Sequence, residues 1–506
     1  MPLPPNIILF MVDQLAAKWL SHVESTVGLP NVARLRSSGV SFNNAFTSNP
    51  VCCASRATIA TGLSSRQHGV LENGYQLDPG LPTFMRTLQQ AGWRTGAFGK
   101  LHFHPHFAGL RPDYREYGFD DCEVTEDMRG GAWLDWVASE HPSHLDAALA
   151  TVWQPKVPEF ASYGAEGRNL RARIESIRAN FPWASAEFPD AHAGAYPLPF
   201  PEEISQTNWI TAKALDFLGR ADERPFLAQI SYVQPHGPYC APASDLCRIP
   251  EDIIPTPLEA EWLEDPHAPE YFARQRPVSG NWRHDRRCYF ADLLHLDRQM
   301  GRVLDRLEDL QIRDHTCILF CSDHGDLLYD HGFKGKEERH YDACIRVPLI
   351  VSGPGFSTGQ TRADLVQLED ICPTILELAG QQFPPPVTGP DYPGPNPVLP
   401  GISLLSTLRG TDLREAVYCE SYNSIRSANP QDWARTIRTL SHRYTWYPGG
   451  GEQLFDLSRD PEEQHNLAGC ARHAALKSKL KEMLLERIVL QDFPKPRHHL
   501  FALGVH

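Results

Sequence analysis

Four short apolar runs, at residues 7–12, 95–98, 226–233 and 318–321, break off into charged or imidazole side chains, and no other feature constrains the fold as much. The first ends at Asp13, the second at Gly99-Lys100, the third at Gln234-Pro235-His236 and the fourth at Ser322-Asp323-His324. Near-continuous apolar runs of this length suit strands buried on both faces of a parallel sheet. Such strands hand over to loops at their carboxyl ends, where open α/β sheets bind ligands. Two aspartates, a lysine and two histidines are therefore expected along one sheet edge. Between the runs, residues 208–218 and 290–310 carry apolar side chains at three- and four-residue steps, the spacing of helices packed on a core. No chemistry attaches to those stripes.

The length of 506 residues accommodates one large domain and a smaller one. With 48 basic and 62 acidic side chains the net charge is −14, which disfavours nucleic acid or an anionic membrane as partner; an anionic substrate needs a locally basic pocket. No apolar run approaches the ~18 to 20 residues that span a bilayer, and residues 1–6 lead into a strand-like run without a basic start, so a soluble, cytoplasmic protein is expected. Twelve cysteines lack a CxxC pair, and Cys317, Cys321 and Cys372 lie in apolar runs, as reduced core thiols do. Residues 105–205 are weakly periodic and are expected as an excursion above the sheet edge that shapes substrate choice. Residues 381–400 are too rich in Pro and Gly for regular structure; beyond them, strand-like stretches at 416–421, 434–440, 443–447 and 453–457 precede a helical one at 473–489. The expected division is a catalytic domain at 1–385 and a C-terminal α+β subdomain with a tail at 386–506.

The stretch NPVCCASRATIATGLSSRQHGV at 49–70 carries the most chemistry. Cys52-Cys53-Ala54-Ser55-Arg56 opens a helix that Gly62 stops. A side chain at a helix N-terminus sits in positive potential beside free N–H groups, and Arg56 lies on the same helix face as Cys52. Taken alone, the segment is equally two buried thiols at a helix start.

Cys-x-Ala-Ser-Arg followed by Thr61-Gly62 and His68-Gly69-Val70 resembles the signature of the type I, formylglycine-dependent sulfatases of the alkaline phosphatase superfamily. The resemblance continues in Val12-Asp13-Gln14, Gly99-Lys100-Leu101-His102, Gln234-Pro235-His236-Gly237-Pro238-Tyr239, Ser322-Asp323-His324-Gly325-Asp326, Asp330-His331-Gly332 with Lys336, and Leu454-Phe455-Asp456-Leu457. It implies an α/β/α sandwich around a large, mostly parallel sheet with a smaller α+β C-terminal domain. It implies hydrolysis of sulfate monoesters of the arylsulfatase kind, with Cys52 oxidised by a formylglycine-generating enzyme. The hydrated aldehyde would supply the nucleophile and a second hydroxyl to expel sulfate, which a plain thiol cannot do. Asp13, Gln14, Asp323 and His324 with residue 52 are implied as ligands of one divalent ion. Lys100 and Lys336 are implied to clamp the sulfate, His102 to act on the diol as base, His236 to protonate the leaving group, Arg56 to hold the diol and its helix, and Asn73 to place an amide near the sulfate. Lys334 competes with Lys336 on spacing.

An oxygen-rich set with one imidazole suits Ca²⁺, Mn²⁺ or Mg²⁺. Gln14 and His324 stand where many sulfatases carry Asp and Asn, which tilts the choice toward Mn²⁺. The same Asp-Gln and Asp-His pairs resemble phosphonate monoester hydrolases, leaving phosphonate monoesters or phosphodiesters as the alternative; the Gly-Lys-x-His element favours sulfate. A non-catalytic anion binder has no need of a leaving-group acid. Relatives imply a homo-oligomer, dimer or tetramer. His104, His106, Cys240, His498 and His499 lack a partner set and carry no assignment.

Overall fold

The structure, a computed structural model, describes residues 4–105, 108–164, 167–336, 338–356, 359–382, 400–423 and 429–491. The expected division at 385/386, most of the expected linker and the tail from 492 lie outside the described residues, as do His106, His498 and His499.

Among the described residues, nine strands form the main sheet: β1 (Asn6–Val12), β2 (Gly39–Phe46), β3 (Arg94–Gly99), β4 (Asp121–Val124), β5 (Phe226–Ser231), β6 (Thr316–Ser322), β7 (Arg346–Val347), β8 (Leu349–Ser352) and β9 (Gln360–Gln367). Their order is β4-β3-β5-β1-β6-β8-β2-β7, with β9 also on β2. From β4 to β6 all neighbours are parallel, while β8 pairs antiparallel with both β6 and β2. Met11 lies opposite both Ser231 and Cys321, and Gly99 opposite Ser231, so β1, β3, β5 and β6 end level with one another. The four apolar runs are these four adjacent strands, and the edge they share carries the polar residues expected there.

Alternate residues of β1 enter opposite layers. Ile8, Phe10 and Val12 pack with Leu293, Leu296 and Met300 of the long helix Trp282–Asp309. Ile7, Leu9 and Met11 pack with Cys53, Ala54 and Ala57 of the helix Cys52–Thr61. Burial on both faces is the physical reason the run is apolar throughout. The long helix starts eight residues before its periodic stretch, because His284, Asp285 and Arg286 are buried in its first turns and mask the apolar stripe.

The excursion is more regular than expected. It contributes β4 to the sheet and the helices Ala132–Glu140, Leu145–Ala150 and Leu170–Asn180. Its end runs beside the loop after β5: Tyr196 N–H donates to Tyr239 O at 3.0 Å, Leu198 N–H to Ala241 O at 2.9 Å, and Tyr239 N–H to Gly194 O at 3.0 Å. Further on, β10 (Val417–Ser421), β11 (Ala434–Arg438), β12 (His442–Trp446) and β13 (Glu452–Asp456) form a small antiparallel sheet in that order. The helix Ala474–Gln491 covers it through Leu480 and Leu484, which meet Tyr418, Ile437 and Tyr444. None of the twelve cysteines, all of them among the described residues, is joined in a disulfide, and Cys317, Cys321 and Cys372 are buried. No helix among the described residues is long and apolar enough to cross a membrane.

Candidate active site

One guanidinium ties four strand ends together. Arg56 Nη2 lies 2.9 Å from Asp13 Oδ2, beyond β1, and Nε lies 2.7 Å from Asp323 Oδ2, beyond β6. Its Nη1 donates to Lys100 O at 2.7 Å, beyond β3, and to Ser231 Oγ at 2.9 Å, on β5. All three ionic side chains are fully buried. Burial alone would raise the Asp13 carboxyl, but Lys100 and Arg56 outweigh it and hold the group well below the usual carboxylate range.

Cys52 is the first residue of its helix, where no side chain of the N-cap residue Val51 engages the free N–H groups. Asn73 Oδ1 accepts from Cys53 N–H at 3.1 Å, so the Asn73 amide secures this helix start. The Cys52 sulfur lies 3.1 Å from His324 Nε2, 2.7 Å from Lys336 Nζ and 3.9 Å from Asp13 Oδ1. Burial, reinforced by Asp13, pushes its thiol up to about 12. An unconverted Cys52 is therefore a protonated, weak nucleophile at neutral pH. Cys53 points the other way, donating to Tyr75 O at 3.1 Å from within the core.

Neighbours orient the candidate ligands. His324 donates from Nδ1 to Gly325 O at 3.0 Å, which leaves Nε2 facing the site; burial pushes the imidazole down to about 4, so it is neutral there. Gln14 Nε2 donates to Asp326 Oδ2 at 2.6 Å, which turns Oε1 inward. The left-handed backbone of Gln14 (φ 66°) is held by its N–H, which donates to Asp323 Oδ1 at 3.1 Å. Donor atoms of Asp13, Cys52, Asp323 and His324 all lie within 4.8 Å of one another. Two carboxylate oxygens, an amide oxygen and a neutral imidazole nitrogen fit a hard divalent cation. The Lys336 ammonium, which touches His324 Nε2 at 2.9 Å and Gln14 Oε1 at 3.2 Å, shows that this cradle accepts positive charge.

Lys100 Nζ is pinned between Asp13 Oδ2 at 2.8 Å and Asp127 Oδ2 at 3.0 Å. The turn after it is held by Glu126, whose Oε1 accepts from the N–H groups of Leu101 at 3.2 Å and His102 at 3.0 Å. His102 has a left-handed backbone (φ 54°), and its ring lines a cavity of about 10 Å³ with Glu126, Tyr114 and Met128. His236 stands at the rim within electrostatic reach of Asp13, Lys100 and Lys336. Its Nδ1 donates to Gly237 O at 2.7 Å, and burial pushes the imidazole down to about 3. Trp153 of the excursion meets it edge-on, with ring centroids 5.2 Å apart. Lys334 is turned out of the site to Asp285 Oδ2 at 2.6 Å, which separates it from Lys336.

Sequence patterns assign no role to Asp127, Glu126 or Asp326. Asp326 stands within the Ser322–Asp326 motif, three residues past a ligand candidate. Glu126 and Asp127 follow β4, a half-buried strand of four residues without a periodic signal.

A family model described as sulfatase matches residues 5–381, and one described as the C-terminal part of N-sulphoglucosamine sulphohydrolase matches residues 330–489. The chain is 26% identical to an arylsulfatase of Clostridium perfringens, across 96% of this chain and 94% of that protein. It is 28% identical to a choline-sulfatase of Rhizobium meliloti, across 92% and 82%. A phosphonate monoester hydrolase of Agrobacterium radiobacter shares the fold with a TM-score of 0.75 at 22% identity, across 96% of both chains. With most of its length matched by the sulfatase model, the chain belongs to the sulfatase family and is a sulfuric ester hydrolase.

Proposed function

We propose that the chain cleaves sulfate monoesters of small alcohols or phenols with residue 52 as formylglycine and one divalent ion held by Asp13, Gln14, Asp323 and His324. The observation that carries this reading is the position of Cys52, at a helix N-terminus within 4 Å of Asp13, His324 and Lys336. When present, the ion polarises the sulfate and the hydrated aldehyde supplies a nucleophilic hydroxyl with a second one to release sulfate. The chain's own residues do the rest. Arg56 fixes the two carboxylates and the helix without reaching substrate. Lys100 and Lys336 place ammonium groups against the sulfate oxygens as charge develops. His236, its Nδ1–H committed to Gly237 O, presents Nε2 at the rim; an anionic ester beside it raises its proton affinity, and it protonates the leaving oxygen. His102 takes the proton of the second hydroxyl.

The 105–205 excursion shapes the alcohol side, as its contact with the His236 loop and the Trp153–His236 pair support. Residues 1–385 form the catalytic domain and 386–506 the C-terminal subdomain. Partners are a small sulfate ester, the formylglycine-generating enzyme and further copies of this chain in a dimer or tetramer; Mn²⁺ or Ca²⁺ is the ion. The cytoplasm is the proposed location.

Mass measurement of the residue 52 peptide distinguishes aldehyde from thiol, and Cys52→Ala is expected to abolish aryl sulfate turnover. Unchanged turnover would eliminate the mechanism. The Asp13-Gln14 and Asp323-His324 pairs favour a second reading in which phosphonate monoesters are turned over as well. Comparing kcat/KM on matched aryl sulfate and aryl phosphonate esters decides which dominates.

A further inference from the structure

The two clamp lysines are held in different ways. Lys100 is pinned by two carboxylates, Asp13 at 2.8 Å and Asp127 at 3.0 Å, with its side chain fully buried. Lys336 is held instead by neutral groups: its Nζ lies 2.7 Å from Cys52 Sγ, 2.9 Å from His324 Nε2 and 3.2 Å from Gln14 Oε1. Those three atoms belong to groups that would ligate the ion.

The imidazole can serve only one cation. His324 Nδ1 donates to Gly325 O, so Nε2 holds the ring's single in-plane lone pair. One lone pair accepts a hydrogen bond from an ammonium or ligates a metal, but not both. Gln14 adds a second conflict, since Asp326 fixes its amide so that the same inward Oε1 faces either cation. A divalent ion held by the same two groups would also set like charges side by side with the Lys336 ammonium in a buried site.

We propose that Lys336 is an exchangeable cation: its ammonium and the divalent ion compete for His324 Nε2 and Gln14 Oε1, and ion loading drives Lys336 out of the ligand set toward the substrate side. This rests on the proposed metal site. The backbone stays in place while the side chain moves, because Gly335 N–H donates to Asp326 Oδ1 at 2.7 Å and His340 is anchored in the small sheet. Sulfate binding through Lys336 is thereby coupled to prior ion binding, whereas Lys100 is in position throughout.

Lysine-by-lysine reductive methylation, read by mass spectrometry on the full chain during a Mn²⁺ titration after chelator treatment, tests the exchange. Lys336 is expected to gain at least about fivefold in labelling rate as the ion binds, while Lys100 stays protected. Calorimetry on the same samples reports ion binding independently of labelling and of activity. Ion binding with unchanged or reduced Lys336 labelling overturns the exchange and leaves the metal reading standing. A wild-type chain that binds neither Mn²⁺ nor Ca²⁺ overturns the metal reading and the exchange with it. As a second measurement, Lys336→Met is expected to bind Mn²⁺ at least about tenfold more tightly than wild type; equal or weaker binding by the folded variant also overturns the exchange.

Discussion

Arg56 and Asp323 meet at 2.7 Å with neither side chain exposed, although they are 267 residues apart in the chain. Because the same guanidinium also neutralises Asp13, the arginine sustains two buried carboxylates at once.

Replacing Arg56 by Met leaves both charges uncompensated in the interior. Such a loss is expected to destabilise the fold by about 3–5 kcal/mol. Arg56→Lys keeps the charge but cannot reach four acceptors from one planar group, and is expected to fall between the two. Urea denaturation of wild type and both variants checks the order.

Asp326 accepts from Gln14 Nε2 and so sets which atom of Gln14 faces the site. Asp326→Asn preserves an oxygen for Gly335 N–H and Leu328 N–H but loses the carboxylate that selects the Gln14 orientation. Ion affinity is expected to drop about 10- to 100-fold, as for partners that orient metal ligands elsewhere. Calorimetric titration with Mn²⁺ gives the answer.

The small sheet grips the loop that bears Lys336. His340 engages Thr436 Oγ1 at 2.8 Å and Ser421 Oγ at 2.9 Å, and Tyr447 OH donates to Glu338 O at 3.0 Å. The double change Ser421→Ala, Thr436→Val removes both partners of a buried imidazole, at about 1–3 kcal/mol each. We expect kcat/KM to fall about tenfold in the wild-type background and to stay nearly level in a Lys336→Met background. Additive losses would show that the sheet acts by another route.

Acid sensitivity is expected to involve a histidine remote from the site. His295, in the long helix, meets Asn208 Oδ1 at 2.8 Å, and burial, aided by Arg298 and Arg302, pushes its imidazole down to about 3. An unfolded histidine titrates near 6.5. Between those values the unfolded chain binds the extra proton, so stability falls as pH drops from 6.5 toward 3. His295→Gln is expected to remove that component, up to roughly 2–3 kcal/mol over the two pH units below 6.5. Denaturation at pH 7 and 4.5 measures the difference.

Strand ends at Asp13, Lys100 and Asp323 were legible in the sequence because burial on two faces enforces unbroken apolar runs, and the break itself marks the edge. The third run overshoots its strand by two residues, since Tyr232 and Val233 are buried in the following loop and look no different from strand residues. Asp127 was not legible: the four residues of β4 are half-buried and give neither continuity nor alternation. The start of the long helix was hidden for a related reason. Arg286 is buried through its pair with Asp330 at 2.6 Å, and Asp285 through His192 and Lys334, so polar residues occupy core-facing positions. Lys334 and Lys336 look alike in the sequence, yet across one glycine the chain places the first ammonium outside on Asp285 and the second against Cys52.

Cys52 is sealed by groups that the ribosome delivers much later, His324 at 272 positions and Lys336 at 284 positions further along. At about 5–20 residues per second, that gap leaves the nascent thiol uncovered for on the order of 15–60 s. An oxidising enzyme that works during translation therefore meets an open peptide, whereas one that arrives after the last strands have docked meets a closed door.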